Sequence, residues 1–299
     1  MQTKHPQISE WFKKLQDSIC KDISAADGYA EFKEDSWTRP GGGGGRSRVI
    51  AQGAVIEKGG VNFSEVYGRT PDSIKGSMGL SDDEFYATGV SIVLHPNNPM
   101  VPIIHMNVRF FEMSGGAFWF GGGIDLTPHY IVPDDARYFH QALKNACDKH
   151  NGDYYAKFKN WADEYFFIPH RKETRGIGGI FFDYLKPDEN KSFNDLWTFV
   201  QEVGNSFAPI YTHFMLKNKS LPYEEQHKNW QYLRRGRYVE FNLVWDRGTR
   251  FGLQTDGRTE SILMSLPPQA NWEYQHEVKP GSAEEFTLNH LKKGLDWLA

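Results

Sequence analysis

The stretch Val90–Met113, VSIVLHPNNPMVPIIHMNVRFFEM, alternates in character with a period of two on both sides of a Pro/Asn-rich connection, and no other stretch limits the fold as much. Two strand-like runs, 90–94 and 103–111, read as an antiparallel hairpin with a loop longer than the tightest turns. Alternation sorts their side chains into faces. His105, Asn107 and Arg109 share one face, joined by Ser91 and His95, while Ile104, Met106, Val108 and Phe110 point the other way. With the connection turning near Pro99, residue 91 falls opposite residue 107, and residue 95 opposite residue 103. Antiparallel sheets often wet one face, so these polar groups have a plain reading as solvated side chains. A solvated face, however, more often carries Lys, Glu and Thr than two imidazoles, a serine, an amide and a guanidinium.

A chain of 299 residues, 39% hydrophobic and 24% charged, can bury one large core. Aromatics reach 15%, enough for a broad apolar cavity or interface besides that core. A net charge of -4 gives no reason to expect nucleic acid or an anionic membrane. No apolar run is long enough to span a bilayer. Cys20 and Cys147 form no CxxC pair, so neither a disulfide framework nor a zinc–thiolate site is expected. The opening residues lack a secretory pattern, and a reduced cytoplasm is the expected location.

Helical periodicity appears over 7–24, from 133 to about 149, over 153–167, from 192 towards 217, over 223–235 and from 282 to 298. Strands are expected at 47–56 and 60–66 around a glycine turn at 57–60, and again at 118–120 running into Gly121–Gly123. The run 236–249 also alternates like a strand, followed by an antiparallel pair at 251–255 and 259–266. Gly41–Gly45, between Arg39 and Arg46, fits neither a P-loop nor a dinucleotide fingerprint; it reads as a lid or linker, or as a loop touching a ligand. Strands near both ends with helices between, and no repeat or linker, argue for α+β: one domain over 1–299, a large mostly antiparallel sheet flanked by helices.

The segments EDSWTRPGGGGGRSR, HMNVRFF, WFGGGIDLTP, HRKETRGIGGIFFD, RRGRYVEFNLVWDRGT and GRTESILMSLPP, in this order, resemble the oxygen-dependent coproporphyrinogen III oxidases over about residues 10–297. The resemblance implies oxidative decarboxylation of two propionates of coproporphyrinogen III to vinyl groups, giving protoporphyrinogen IX for haem synthesis, with dioxygen as co-substrate. It also implies a homodimer, its interface drawn largely from Tyr238 to Glu273. Against substrate it places Ser91, the run Asn107, Val108, Arg109, and the turn Asp256, Gly257, Arg258. It makes His105 a proton donor and offers His95, His105, His140 and His170 as ligands of a divalent metal. Asp256 stands where the family is expected to carry a small residue, and Tyr184 where it often has a second acid after Asp183.

The residues suit that substrate class. A macrocycle with four carboxylates calls for arginines, and Arg109, Arg258 and Arg175 are candidates, while Phe118–Phe120 and Gly121–Gly123 suit its flat face. No flavin or nicotinamide motif is present, so the electron-rich porphyrinogen is expected to react with oxygen itself, with Asp183 as base for a pyrrole N–H and His105 moving protons. Four imidazoles without a carboxylate are unusual for oxygen-activating iron. A non-catalytic tetrapyrrole carrier and a metal-dependent oxygenase are the rival readings.

Overall fold

The computed structural model describes residues 4–70, 84–254 and 257–299. Helix α1 (His5–Asp27) is followed by β1 (Lys33–Thr38), β2 (Gly43–Ala51), β3 (Ile56–Arg69), β4 (Glu84–Pro96), β5 (Ile103–Met113) and β6 (Phe118–Thr127). Then come α2 (Pro133–Asp148), α3 (Tyr154–Tyr165), the short pair β7 (Phe167–Ile168) and β8 (Glu173–Thr174), and β9 (Gly179–Leu185). Helices α4 (Phe193–Asn218), α5 (Glu225–Glu240), a π-helical turn (Phe241–Trp245), α6 (Arg247–Gln254), α7 (Thr259–Leu263) and α8 (Ala283–His290) complete the described chain. The seven long strands form one antiparallel sheet in the order β1-β2-β3-β4-β5-β6-β9, so the expected α+β architecture holds.

One face of this sheet carries the main core. Ile92, Leu94, Ile104, Met106, Val108, Phe110, Phe120 and Phe182 meet apolar stripes of α1, α2 and α4. In α1 the stripe is Ile8, Phe12, Leu15, Ile19 and Ile23, and each fully buried side chain of this size contributes on the order of 2 kcal/mol. Helix α4 starts at a capping box in which Ser192 and Asp195 each accept the other's backbone N–H. It meets α1 at Gly204, where an added Cβ would lie 2.9 Å from both Trp11 and Leu15. The end of α1 is tied to the sheet by one carboxylate: Asp27 accepts the N–H groups of Tyr29, Ala30, Ala54, Val55 and Ile56.

Four local expectations are corrected. The β2–β3 turn lies at 52–55, with Gln52 at φ +56°, and not at Glu57–Gly60. Gly59 and Gly60 serve close packing instead, since a Cβ there would meet Leu94 at 2.4 Å and the Met264 sulfur at 2.2 Å. The Gly41–Gly45 run is neither lid nor linker: Arg39–Gly42 make the β1–β2 turn and Gly43–Gly45 lie within β2. The segment 236–266 is helical over 236–245, 247–254 and 259–263 and carries no strand among its described residues, with Tyr238, Phe241 and Asn242, at helical spacing, among the residues it buries. Helix α8 also ends at His290, short of the expected 298.

Candidate active site on the second face of the sheet

The expected hairpin register is the one found: Ser91 pairs with Asn107 and Val93 with His105. Extending it across the sheet gives a row of side chains on the second face, Ser47, Asn62, Ser91, Asn107 and Gly123. A neighbouring row runs Gly45, Ser64, Gly89, Arg109 and Gly121. Polar groups therefore alternate with bare backbone. The glycines are required beside the arginine: a Cβ at Gly121 would lie 2.8 Å from Arg109 Nε, and one at Gly89 would lie 3.0 Å from Arg109 Cα.

Arg109 is 37% exposed and already sits in a carboxylate's company. Its Nη2 lies 2.9 Å from Asp183 Oδ1 at the end of β9, and its Nη1 donates to Asn107 Oδ1 at 2.9 Å. In the next row His105 pairs across β5 and β6 with Asp125. His105 Nδ1–H donates to Asp125 Oδ1 at 2.8 Å, which fixes the tautomer and leaves Nε2 as the outer nitrogen. The ring also packs edge-on against Phe166, 6.0 Å between centroids.

Behind His105 stands a buried ion pair. Arg175 Nη2 reaches Asp125 Oδ1 at 2.6 Å and Nε reaches Oδ2 at 3.0 Å, a two-point contact with both partners almost fully enclosed. Arg175 Nη1 donates to Asn242 Oδ1 at 2.9 Å, and the guanidinium is packed by the rings of Phe166, Tyr238 and Phe241. Burial pushes the Asp125 carboxyl up, but the Arg175 charge and the His105 hydrogen bond outweigh it and hold it below the ordinary carboxylate range. Arg175, expected as a substrate anchor, is engaged by Asp125 and Asn242 in this structure. Asp125 itself was missed in the sequence, although alternation from Gly121 through Gly123 already places it on this face.

Other expected contacts divide. Val108 is fully buried on the core side, so its side chain does not reach the second face. Gly257 precedes α7, where a Cβ would meet the Gly252 carbonyl at 2.7 Å, and Arg258 is paired with Asp35 of β1. Asp256 lies outside the described residues. Helix α7 and the residues after it are fastened over β2–β4, with Asn62 Nδ2 donating to the Ser261 carbonyl at 2.8 Å and Lys58 Nζ to that of Leu266 at 2.8 Å.

The four histidines are not brought together. His140 is buried in the core, taking the Tyr155 hydroxyl at Nδ1 (3.0 Å) and donating from Nε2 to the Ile177 carbonyl (2.9 Å). His170 donates to Glu240 at 2.8 Å and accepts from Trp245 Nε1 at 2.9 Å. His95 donates to the Ser265 carbonyl at 2.8 Å beneath the Tyr238 ring. Burial, reinforced by the nearby Arg235 charge, depresses His95 well below the ordinary imidazole range, and burial takes His140 down to about 4. With both ring nitrogens of His140 and of His170 engaged, one ion held by all four does not fit. Among the described residues no group of three or more His, Cys, Asp or Glu side chains is arranged to hold a metal.

The family model for coproporphyrinogen III oxidase matches residues 7–297. The chain belongs to the coproporphyrinogen III oxidase family. Among its relatives, the oxygen-dependent coproporphyrinogen-III oxidase of Prochlorococcus marinus is 46% identical over 315 residues, covering 97% of this chain and 92% of that protein. The chloroplastic oxygen-dependent coproporphyrinogen-III oxidase of Glycine max is 48% identical, covering 98% of this chain and 79% of its own length. Coproporphyrinogen-III oxidase 1, chloroplastic, of Arabidopsis thaliana is 49% identical, covering 96% and 77% respectively. Among the described residues of this family member no helix is long and apolar enough to cross a membrane.

Proposed function

We propose that this chain converts coproporphyrinogen III to protoporphyrinogen IX, removing two propionate carboxyls as carbon dioxide and leaving vinyl groups, with dioxygen as electron acceptor. At each propionate the Cβ hydrogen leaves with two electrons, the Cα–carboxylate bond breaks, and dioxygen with those electrons and two protons becomes hydrogen peroxide. The observation that carries the reading is Arg109, a part-exposed guanidinium standing between Gly89 and Gly121 on the same polar face as Asn107 and the fixed imidazole of His105. Arg109 and Asn107 are suited to hold the reacting propionate, Ser91 and the glycines to carry the flat ring, and Phe166 and Phe181 to keep water from one side. Asp183 is suited to take a pyrrole N–H proton, which makes the ring a better reductant, and His105 Nε2 to move a proton at the propionate.

The same reading gives a homodimer. Leu243, Val244, Trp245, Leu253 and Trp272, between 39% and 50% exposed, form the kind of apolar surface a second copy would cover. It also gives a reducing cytoplasmic setting, consistent with two buried free thiols.

The test is aerobic against anaerobic incubation of purified, exhaustively chelated protein with coproporphyrinogen III, following carbon dioxide, peroxide and vinyl product. Oxygen-dependent turnover after chelation is the expected result. Binding without carbon dioxide release would make the protein a tetrapyrrole carrier, and turnover restored only by added divalent ion would make it a metal-dependent oxygenase.

A further inference from the structure

Strand β9 holds one residue more than its partner. Phe182 stands opposite Gly122 and Leu185 opposite Phe120, so Asp183 and Tyr184 together face Gly121 alone. Strict alternation would put Asp183 and Leu185 on one face. The bulge instead returns Leu185 to the core side, where it packs with Phe182 against the main cluster, and turns both Asp183 and Tyr184 to the site. The Tyr184 ring stacks on Trp119 at 5.0 Å between centroids, and Trp119 stacks in turn on Phe111 at 4.5 Å. Asp183 meanwhile reaches Arg109.

The residue that makes the extra step is Tyr184, at φ +49°. A left-handed conformation is unfavourable for a bulky L-residue, so something must compensate. The ring stack is one contribution. The other is the Tyr184 backbone N–H, which donates to Asp183 Oδ1 at 3.0 Å, the same oxygen that faces Arg109. Gly121 leaves the gap through which the carboxylate and guanidinium meet, since a Cβ there would lie 2.7 Å from Asp183 Oδ1.

We propose that Tyr184 is a positioning residue: its left-handed backbone, and not its ring, aims the Asp183 carboxylate across Gly121 at the reacting face. This rests on the reading of Asp183 as the base. Nothing local in the sequence announces it, because the family resemblance leads one to expect an acid at this position, and a tyrosine reads as a loss.

The experiment compares Tyr184→Gly, Tyr184→Asn, Tyr184→Val and Tyr184→Ile with Asp183→Asn by steady-state kinetics, alongside thermal melting. All four Tyr184 variants lose the stack on Trp119, but only Gly and Asn accept the left-handed conformation readily. Gly and Asn are expected to keep kcat within about threefold, while Val and Ile lose about tenfold or more with KM changed much less, as for a group displaced by a fraction of an ångström. If Val and Ile do not fold, Tyr184→Ala takes their place, with a smaller loss in the same direction. An Asp183→Asn variant slowed as expected, with Val no slower than Gly, overturns the positioning role alone. All four equally slow would assign the effect to the ring and also overturn it. Wild-type turnover by Asp183→Asn removes the base reading and the proposal with it.

Discussion

His105 Nδ1 lies 2.8 Å from Asp125 Oδ1, and the same oxygen is held at 2.6 Å by the buried Arg175. The imidazole's tautomer is therefore set by a charge pair that the substrate never needs to touch.

Asp125→Asn keeps the shape and removes the charge. His105 loses the carboxylate charge that favours Nδ1–H and supports a protonated ring, and turnover is expected to fall by about 100-fold, the scale of a general acid–base group. Arg175 is left enclosed without its counter-ion, at a cost of about 3–5 kcal/mol, so the melting temperature should drop as well. Arg175→Met in the Asp125→Asn background is expected to recover stability but not turnover. Calorimetry and kinetics on the single and double variants check both halves.

Arg109 is expected to behave in the opposite way, with little effect on stability and a large one on substrate. Its pairs with Asp183 and Asn107 are partly exposed and contribute little to folding. Arg109→Ala should lower kcat/KM by about 100-fold or more, and Arg109→Lys, which keeps the charge but not the two-point contact, by less. Substrate inhibition constants for a tetracarboxylate porphyrin would separate binding from turnover.

Stability should decline in mild acid through the buried imidazoles. His140 and His129 are held at about 4 and about 3, chiefly by burial, against about 6.5 in the unfolded chain, and His95 is depressed too. Between those values the unfolded chain binds more protons, so stability rises with pH. It is lost as pH falls below about 6.5, by up to about 1.4 kcal/mol per pH unit for each histidine. Melting temperatures from pH 8 to pH 5 should show this, and His140→Gln should flatten the slope.

Legibility in the sequence followed the strength of the burial pattern. The β4–β5 register was readable because Ile104, Met106, Val108 and Phe110 all go to one core, and a slip by one residue would expose them. From that register Ser91, Asn107, Arg109 and His105 fell on one face as expected. The segment from Gly236 failed for the reverse reason: Val239, Phe241, Leu243 and Trp245 alternate, but Leu243 and Trp245 stay exposed, so no core enforced a period of two. Glycines misled wherever their use was contact between chains of atoms and not a turn, as at Gly59 and Gly60. The Arg175–Asp125 pair was out of reach because its two halves come from strand β6 and a loop after β8, and nothing local announces such a meeting.

The carboxylate of Asp27 gathers amides from both the end of α1 and the β2–β3 turn. Neither element can loosen without stranding the other's donors on a buried anion. In deuterated solvent the amide protons of Ala54, Val55 and Ile56 should therefore exchange together with that of Ala30 as one opening unit, and Asp27→Asn should speed all of them at once.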